Sequence, residues 1–264
     1  MTATAARMPA VFFGHGSPLN ALAENRYTEA WRALAATWPA PRAIVAISAH
    51  WLSHGTAVTA MEMPPTIHDF GGFPRALFEM QYPAPGAPRL AERIAALLAP
   101  VPVYMDQKWG LDHGTWSVLC KCYPDADVPV VQLSIDVDRP ATAYLELGSR
   151  LSALRDEGVL VMGTGNVVHN LRVLDRREDA PPRDWALRFE ARVKQCLLEG
   201  RIEALAGFQQ WGDDAARALP SVEHFLPLLY VLGTRREGEA IRVPFDGIAA
   251  TSISMLSAVV GALA

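Results

Sequence analysis

Four of the seven histidines in this 264-residue chain stand where an apolar run breaks off or a helix is expected to begin. His15 sits between two glycines in Phe12-Phe13-Gly14-His15-Gly16-Ser17-Pro18, and His50 closes Ile47-Ser48-Ala49-His50-Trp51. His169 ends Gly163-Thr164-Gly165-Asn166-Val167-Val168-His169-Asn170, and His224 lies in Pro220-Ser221-Val222-Glu223-His224-Phe225. Neutral imidazole is a common ligand for divalent cations, and one ligand from each of several loops is how a sheet assembles such a site. A lone histidine beside an apolar run is more often a hydrogen-bonded structural residue. The joint placement of four points instead to one shared divalent metal ion. Two other readings of the same glycines fail on spacing. Gly163-x-Gly165 lacks the third glycine of a dinucleotide-binding turn, where Val168 stands, and Ser17 sits in no G-x-S-x-G elbow.

The elements that must carry these residues follow from periodicity. Ala10–Gly14 reads as a buried strand, and Ala43–Ala49 and Val159–Gly163 are continuous apolar runs of the kind covered on both faces. Further strands are expected over Thr56–Met61, Val101–Met105, Val128–Ile135, Ala240–Phe245 and Thr251–Val260. Helices are expected over Asn25–Trp38, Phe73–Met80, Pro88–Leu98, Trp116–Cys122, Pro140–Arg155, Pro181–Leu198 and Arg201–Phe208. A last one, Val222–Leu232, would be capped by Ser221 and carry His224 in its first turn. This alternation predicts an α/β fold: one domain, residues 1–264, with a central mixed, largely parallel sheet flanked by helices. Ligands of such sheets bind outside the carboxyl ends of the strands, where His15, His50 and His169 fall. Pro64–Pro74 is too rich in chain breakers for regular structure and is expected to form a loop that closes over a site.

Half of the residues are hydrophobic, enough for a sizeable core. With 24 Lys+Arg against 28 Asp+Glu the net charge is −4, and no basic run could neutralise several phosphates, so nucleic acid and anionic membranes are excluded as partners. Cys120, Cys122 and Cys196 form an odd, sparse set that suits a reducing cytoplasm. Met1–Pro9 holds no signal-peptide core, and Ile253–Ala264 falls short of the about 20 apolar residues that cross a bilayer. The expectation is a cytoplasmic protein, with a homo-oligomer left open.

Six motifs, in order along nearly the whole chain, carry a family likeness. They are Phe13-Gly14-His15-Gly16-Ser17-Pro18, Ser48-Ala49-His50-Trp51, Asp69-Phe70-Gly71-Gly72-Phe73-Pro74, Leu111-Asp112-His113-Gly114-Thr115-Trp116, Gly163 to Leu171, and Pro220 to Leu228. The set resembles the 4,5-DOPA dioxygenase extradiol-like proteins of the class III extradiol ring-cleavage dioxygenase superfamily. That resemblance implies a mononuclear non-haem metal site with His15, His50 and His224 as ligands. It makes His169 either a further ligand or an acid/base, and His113 a catalytic histidine that hydrogen-bonds substrate or oxygen. His68, Asp69, Trp109 and Trp116 are implied to shape the pocket. The implied reaction is extradiol cleavage of a DOPA-like catechol by O2, with one divalent ion, Fe2+ for oxygenase activity or Zn2+ as bound. The wider superfamily has a carboxylate where this chain has His224. Glu223 is adjacent, but neighbours on a helix point about 100° apart, so both are not expected at the metal. Two rival functions share the fold: a zinc-dependent hydrolase, and a non-catalytic metal-binding interaction protein with a shallow, open site.

Overall fold

The structure, a computed structural model, describes residues 7–177 and 179–262, so readings made on residues 1–6 and 263–264 lie outside the described residues. Its strands are β1 (Ala10–Gly14), β2 (Ala43–Ser53), β3 (Thr56–Thr59), β4 (Val103–Asp106), β5 (Val130–Asp136), β6 (Val159–Gly165), β7 (Ile241–Phe245), β8 (Ile248–Ala249), β9 (Ile253–Ser254) and β10 (Ser257–Val260). Eight of them form one sheet in the order β4-β3-β5-β2-β6-β1-β10-β7, while β8 and β9 pair separately. The centre, β5-β2-β6-β1, is parallel throughout. On one side β3 runs antiparallel to β5 and carries β4 parallel to itself; on the other, β10 and β7 are antiparallel additions. The sheet is therefore mixed and largely parallel, as the apolar runs predict.

The helices are α1 (Arg26–Ala35), α2 (Arg75–Phe78), α3 (Pro88–Leu98), α4 (His113–Cys122), α5 (Ala141–Leu151), α6 (Ala153–Asp156), α7 (Asp184–Leu198), α8 (Ile202–Ala206), α9 (Asp213–Ala218) and α10 (Leu226–Gly233). Every residue of β1, β5 and β6 is buried, which requires a helical layer on each face. Alternate side chains serve the two layers. Phe12, Val45 and Val161 pack with Leu147, Val193 and Leu229 of α5, α7 and α10. Val11, Phe13, Ile44 and Met162 pack with Trp31 and Leu34 of α1 and Trp116 and Leu119 of α4. No helix among the described residues is long and apolar enough to cross a membrane.

Several boundaries depart from expectation for identifiable reasons. The last helix starts at Leu226, not Val222, and Ser221 does not cap it. Pro227 stands in its first turn, where its missing N–H is harmless; a helix begun at Val222 would bury that gap in its interior. His224 consequently lies in the turn before the helix. α4 starts three residues earlier than expected because Asp112 caps it, accepting from the Thr115 N–H. β2 continues past Ala49 to Ser53. The expected strand Thr251–Val260 is split into β9 and β10 at a corner formed by Met255 and Leu256. α9 was not anticipated.

Candidate metal centre

Three adjacent parallel strands deliver three of the histidines. β1 ends at Gly14, and the His15 N–H donates to the Gly165 carbonyl at the end of β6, 3.0 Å away. On β2 the register with β5 slips between Ile47 and Leu52, so the chain around His50 bulges from the ladder, and the His50 N–H donates to Ser48 Oγ at 3.2 Å. Beyond β6, the Asn166 N–H donates to the His224 carbonyl at 2.9 Å, drawing the Pro220–Phe225 turn onto the strand end. That approach needs glycine: a Cβ on Gly165 would lie 2.1 Å from the His224 oxygen. Gly114 plays the same part for α4, since a Cβ there would stand 2.7 Å from His50 Cδ2 and 2.6 Å from Ser48 Oγ. The glycines beside the histidines thus admit the protein's own chain.

These elements bring His15, His50, His113, His169 and His224 to one wall of a cavity of about 1330 Å³. His15 Nε2 lies 3.3 Å from His50 Nε2. The His224 ring centroid is 5.5 Å from that of His15 and 5.0 Å from that of His50. The His113 and His50 ring centroids are 3.9 Å apart. His169 stacks flat on His224 at 3.5 Å. Two sets of three, His15/His50/His113 and His169/Glu223/His224, each hold their donor atoms within 4.8 Å of one another.

Carboxylates sit behind the imidazoles. Asp69, from the breaker-rich loop, places Oδ1 2.9 Å from His113 Nδ1 and Oδ2 3.6 Å from His50 Nδ1, and accepts from the His113 N–H. Glu223 Oε1 lies 3.3 Å from His224 Nδ1 and accepts from Ser221 Oγ at 2.8 Å. The helical argument that separates Glu223 from His224 does not apply, because the pair lies in a turn, and Glu223 reaches the back of the His224 ring. Asp112, fully buried, accepts from Ser48 Oγ at 2.7 Å, from the Thr115 N–H and from Gln132 Nε2, and so ties the His50 strand to the His113 helix. Burial, with Asp69 adding to it, pushes the Asp112 carboxyl up to about 6. An N-cap signal in Asp112-His113-Gly114-Thr115 could have revealed this residue; nothing local marks Gln132.

Of the other residues implied to shape the pocket, only Asp69 lines it. His68 Nε2 meets the Met80 carbonyl at 2.9 Å, the Trp116 indole N–H donates to the Ile67 carbonyl at 2.8 Å, and Trp109 stacks on Trp51 at 5.5 Å. The His68 and Trp116 contacts fasten the loop that carries Asp69 and Phe70, whose ring meets His113 edge-on at 5.5 Å.

Burial first, and then the neighbouring imidazoles, hold His15 and His224 well below the ordinary histidine range. His50 is brought down to about 3 by burial and by His113, and His169 to about 4 by burial. These four rings are therefore neutral near pH 7. The His15 and His50 Nε2 atoms face each other at 3.3 Å, and the buried His224 Nε2 has no hydrogen-bond partner among the described residues; with Glu223 at its Nδ1, that His224 nitrogen offers a lone pair that no protein group satisfies. A neutral nitrogen set backed by carboxylates fits a divalent cation.

Comparison with known proteins bears on what such a centre does. The family profile described as the catalytic LigB subunit of aromatic ring-opening dioxygenase matches residues 12–260. The chain is 52% identical over 259 residues to the 4,5-DOPA dioxygenase extradiol of Escherichia coli K12, covering 97% of this chain and 95% of that one. It is 37% identical over 248 residues to the 4,5-DOPA dioxygenase extradiol of Beta vulgaris, covering 89% and 91%. The crystal structure of an uncharacterized Escherichia coli K12 protein superposes with a TM-score of 0.85 at 47% identity, over 97% of this chain and 100% of that one. With the likeness running through every strand that delivers a histidine, the chain belongs to the LigB family and is an extradiol aromatic ring-opening dioxygenase, an oxidoreductase.

Proposed function

We propose that this chain, acting from end to end as one catalytic unit, opens the ring of a DOPA-like catechol beside its diol, using O2 at a single divalent ion held by His15, His50 and His224 with His169 alongside. The observation that carries the assignment is the His15 Nε2–His50 Nε2 approach of 3.3 Å beside the unpartnered His224 Nε2. When bound, the ion supplies Lewis acidity toward the diol and, as Fe(II), the redox capacity to activate O2.

The chain's own residues supply the rest. His113, whose Nδ1 lies 2.9 Å from Asp69 Oδ1, is the base for the second catechol hydroxyl. Asp69 orients the His113 ring with one oxygen and the His50 ring with the other. His169, neutral and stacked on His224, is placed to take up or return a proton as the ring opens, when it is not itself a ligand. Phe70 closes the His113 side against water.

Anaerobic reconstitution with Fe(II) or Zn(II), followed by catechols and air, tests the reading. Oxygen uptake with a yellow ring-opened product in the iron form alone is the expected result. Uptake in neither form would overturn the catechol assignment, and uptake in both would overturn iron as the working metal.

A further inference from the structure

The cavity that holds the histidines is also lined by Arg26, Arg172, Arg176 and Arg177, in a chain whose net charge is −4. Arg177 is paired, its Nη2 lying 2.7 Å from Asp175 Oδ2. The other three have no carboxylate partner among the described residues. Arg26 lies over the Tyr27 ring at 4.6 Å and donates to its hydroxyl, and Arg176 stands 5.8 Å from the Phe73 ring centroid. Arg172 is positioned by its neighbour: Asn170 Oδ1 accepts from the Arg172 N–H at 3.1 Å, while Asn170 Nδ2 is itself tied to the Arg217 carbonyl at 2.7 Å. The cationic segment that follows His169 is thus anchored to the fold at its start.

The acidic groups of the cavity are, by contrast, occupied. Asp69 is engaged by His113 and Glu223 by Ser221 and His224. A ligand whose diol occupies the histidine wall would therefore find, among the described residues, unpaired guanidinium groups for an anionic substituent and no free carboxylate for an ammonium group. Guanidinium is suited to carboxylates through its forked donors. We infer that Arg172 and Arg176, with Arg26 in the same cavity lining, select catechols whose side chain ends in a carboxylate over those whose side chain ends in an ammonium group alone. This rests on the dioxygenase reading only in placing the diol at the histidines. It separates simple catechol acids from catechol amines and places zwitterionic catechol amino acids between them.

Calorimetric binding to the zinc-loaded protein without oxygen, for 3-(3,4-dihydroxyphenyl)propanoate, its primary amide, L-DOPA and dopamine, tests the inference. The acid should bind most tightly, L-DOPA less well and dopamine least. Solvent screening limits each exposed arginine to about a fivefold effect, so R172Q/R176Q should weaken the acid more than the amide by about tenfold or somewhat more. That gap should narrow as salt is raised. Equal affinity for acid and amide, dopamine matching the acid, an equal loss for both in the double variant, or no binding of the acid would each overturn it. Oxygen uptake by the iron form with no charge preference sinks the selectivity and leaves the dioxygenase reading. A charge preference in binding without oxygen uptake does the reverse.

Discussion

The two ends of β1 and β6 treat buried polar atoms in opposite ways. At the amino ends Arg155, 1% exposed, donates from Nε to the Met8 carbonyl at 2.8 Å and from Nη1 to the Thr234 carbonyl at 2.9 Å. Its two Nη atoms also fork onto Glu239 at 2.7 Å each, and Nη2 reaches the Val260 carbonyl, so all five N–H groups are used. At the carboxyl ends His15 Nδ1 and His224 Nε2 are equally buried and have no partner among the described residues. A satisfied network holds strands in place, whereas buried ring nitrogens without partners cost stability, and one that carries a lone pair stays available to a ligand. The same strands are fastened at one end and chemically open at the other.

The largest test of that contrast is His224→Ala. Without a ligand at the open end, metal content should fall with oxygen uptake, by about a thousandfold or more in rate, matching several kcal/mol of stabilisation supplied by the ion. The melting temperature of the metal-free protein should barely move. Retained uptake would remove His224 from the centre.

Glu239→Gln probes the fastened end. Leaving the buried guanidinium without its counter-charge should cost about 3 kcal/mol in urea unfolding, with turnover per folded molecule unchanged. Unaltered stability would mean that the amino end is not stapled there. Asp69→Asn comes next: loosening the His113 and His50 rings should lower activity or metal affinity by about 10- to 100-fold with little change in stability. A pure stability loss would reassign Asp69 to loop packing.

The smallest effect is on pH. Desolvation raises the Glu239 carboxyl, but the Arg155 fork and the Arg236 N–H outweigh it and hold the group below its ordinary value of 4.5. A carboxyl depressed in the folded state stabilises above its unfolded value and loses that contribution as the pH falls through the folded one. The melting temperature should therefore fall on acidification below about pH 4.5, and less steeply in Glu239→Gln. Parallel slopes would contradict the assignment.

The strands that carry chemistry were legible because a fully buried parallel strand must be apolar at every position and must stop at a breaker. Ala10–Gly14 coincides with its predicted limits, and β6 needed only the extension to Gly165. His224 lies in the turn before the last helix and not in its first turn, because Pro227 weighs against a helix begun at Val222. The arginines of the cavity were invisible, because Arg26 and Arg172 are separated by most of the fold and neither has a local pattern.

The α/β class, the largely parallel centre and the position of His15, His50 and His169 at or near strand ends follow from patterns a few residues long, for apolar alternation and chain breakers act locally. The contacts among those histidines did not. That His50 bulges toward His15, that Glu223 backs His224, and that Asp112 locks two elements together depend on ladder register and on glycines that let distant chain segments touch. Such pairings are set by packing across a hundred residues or more, where no short pattern of residues carries information.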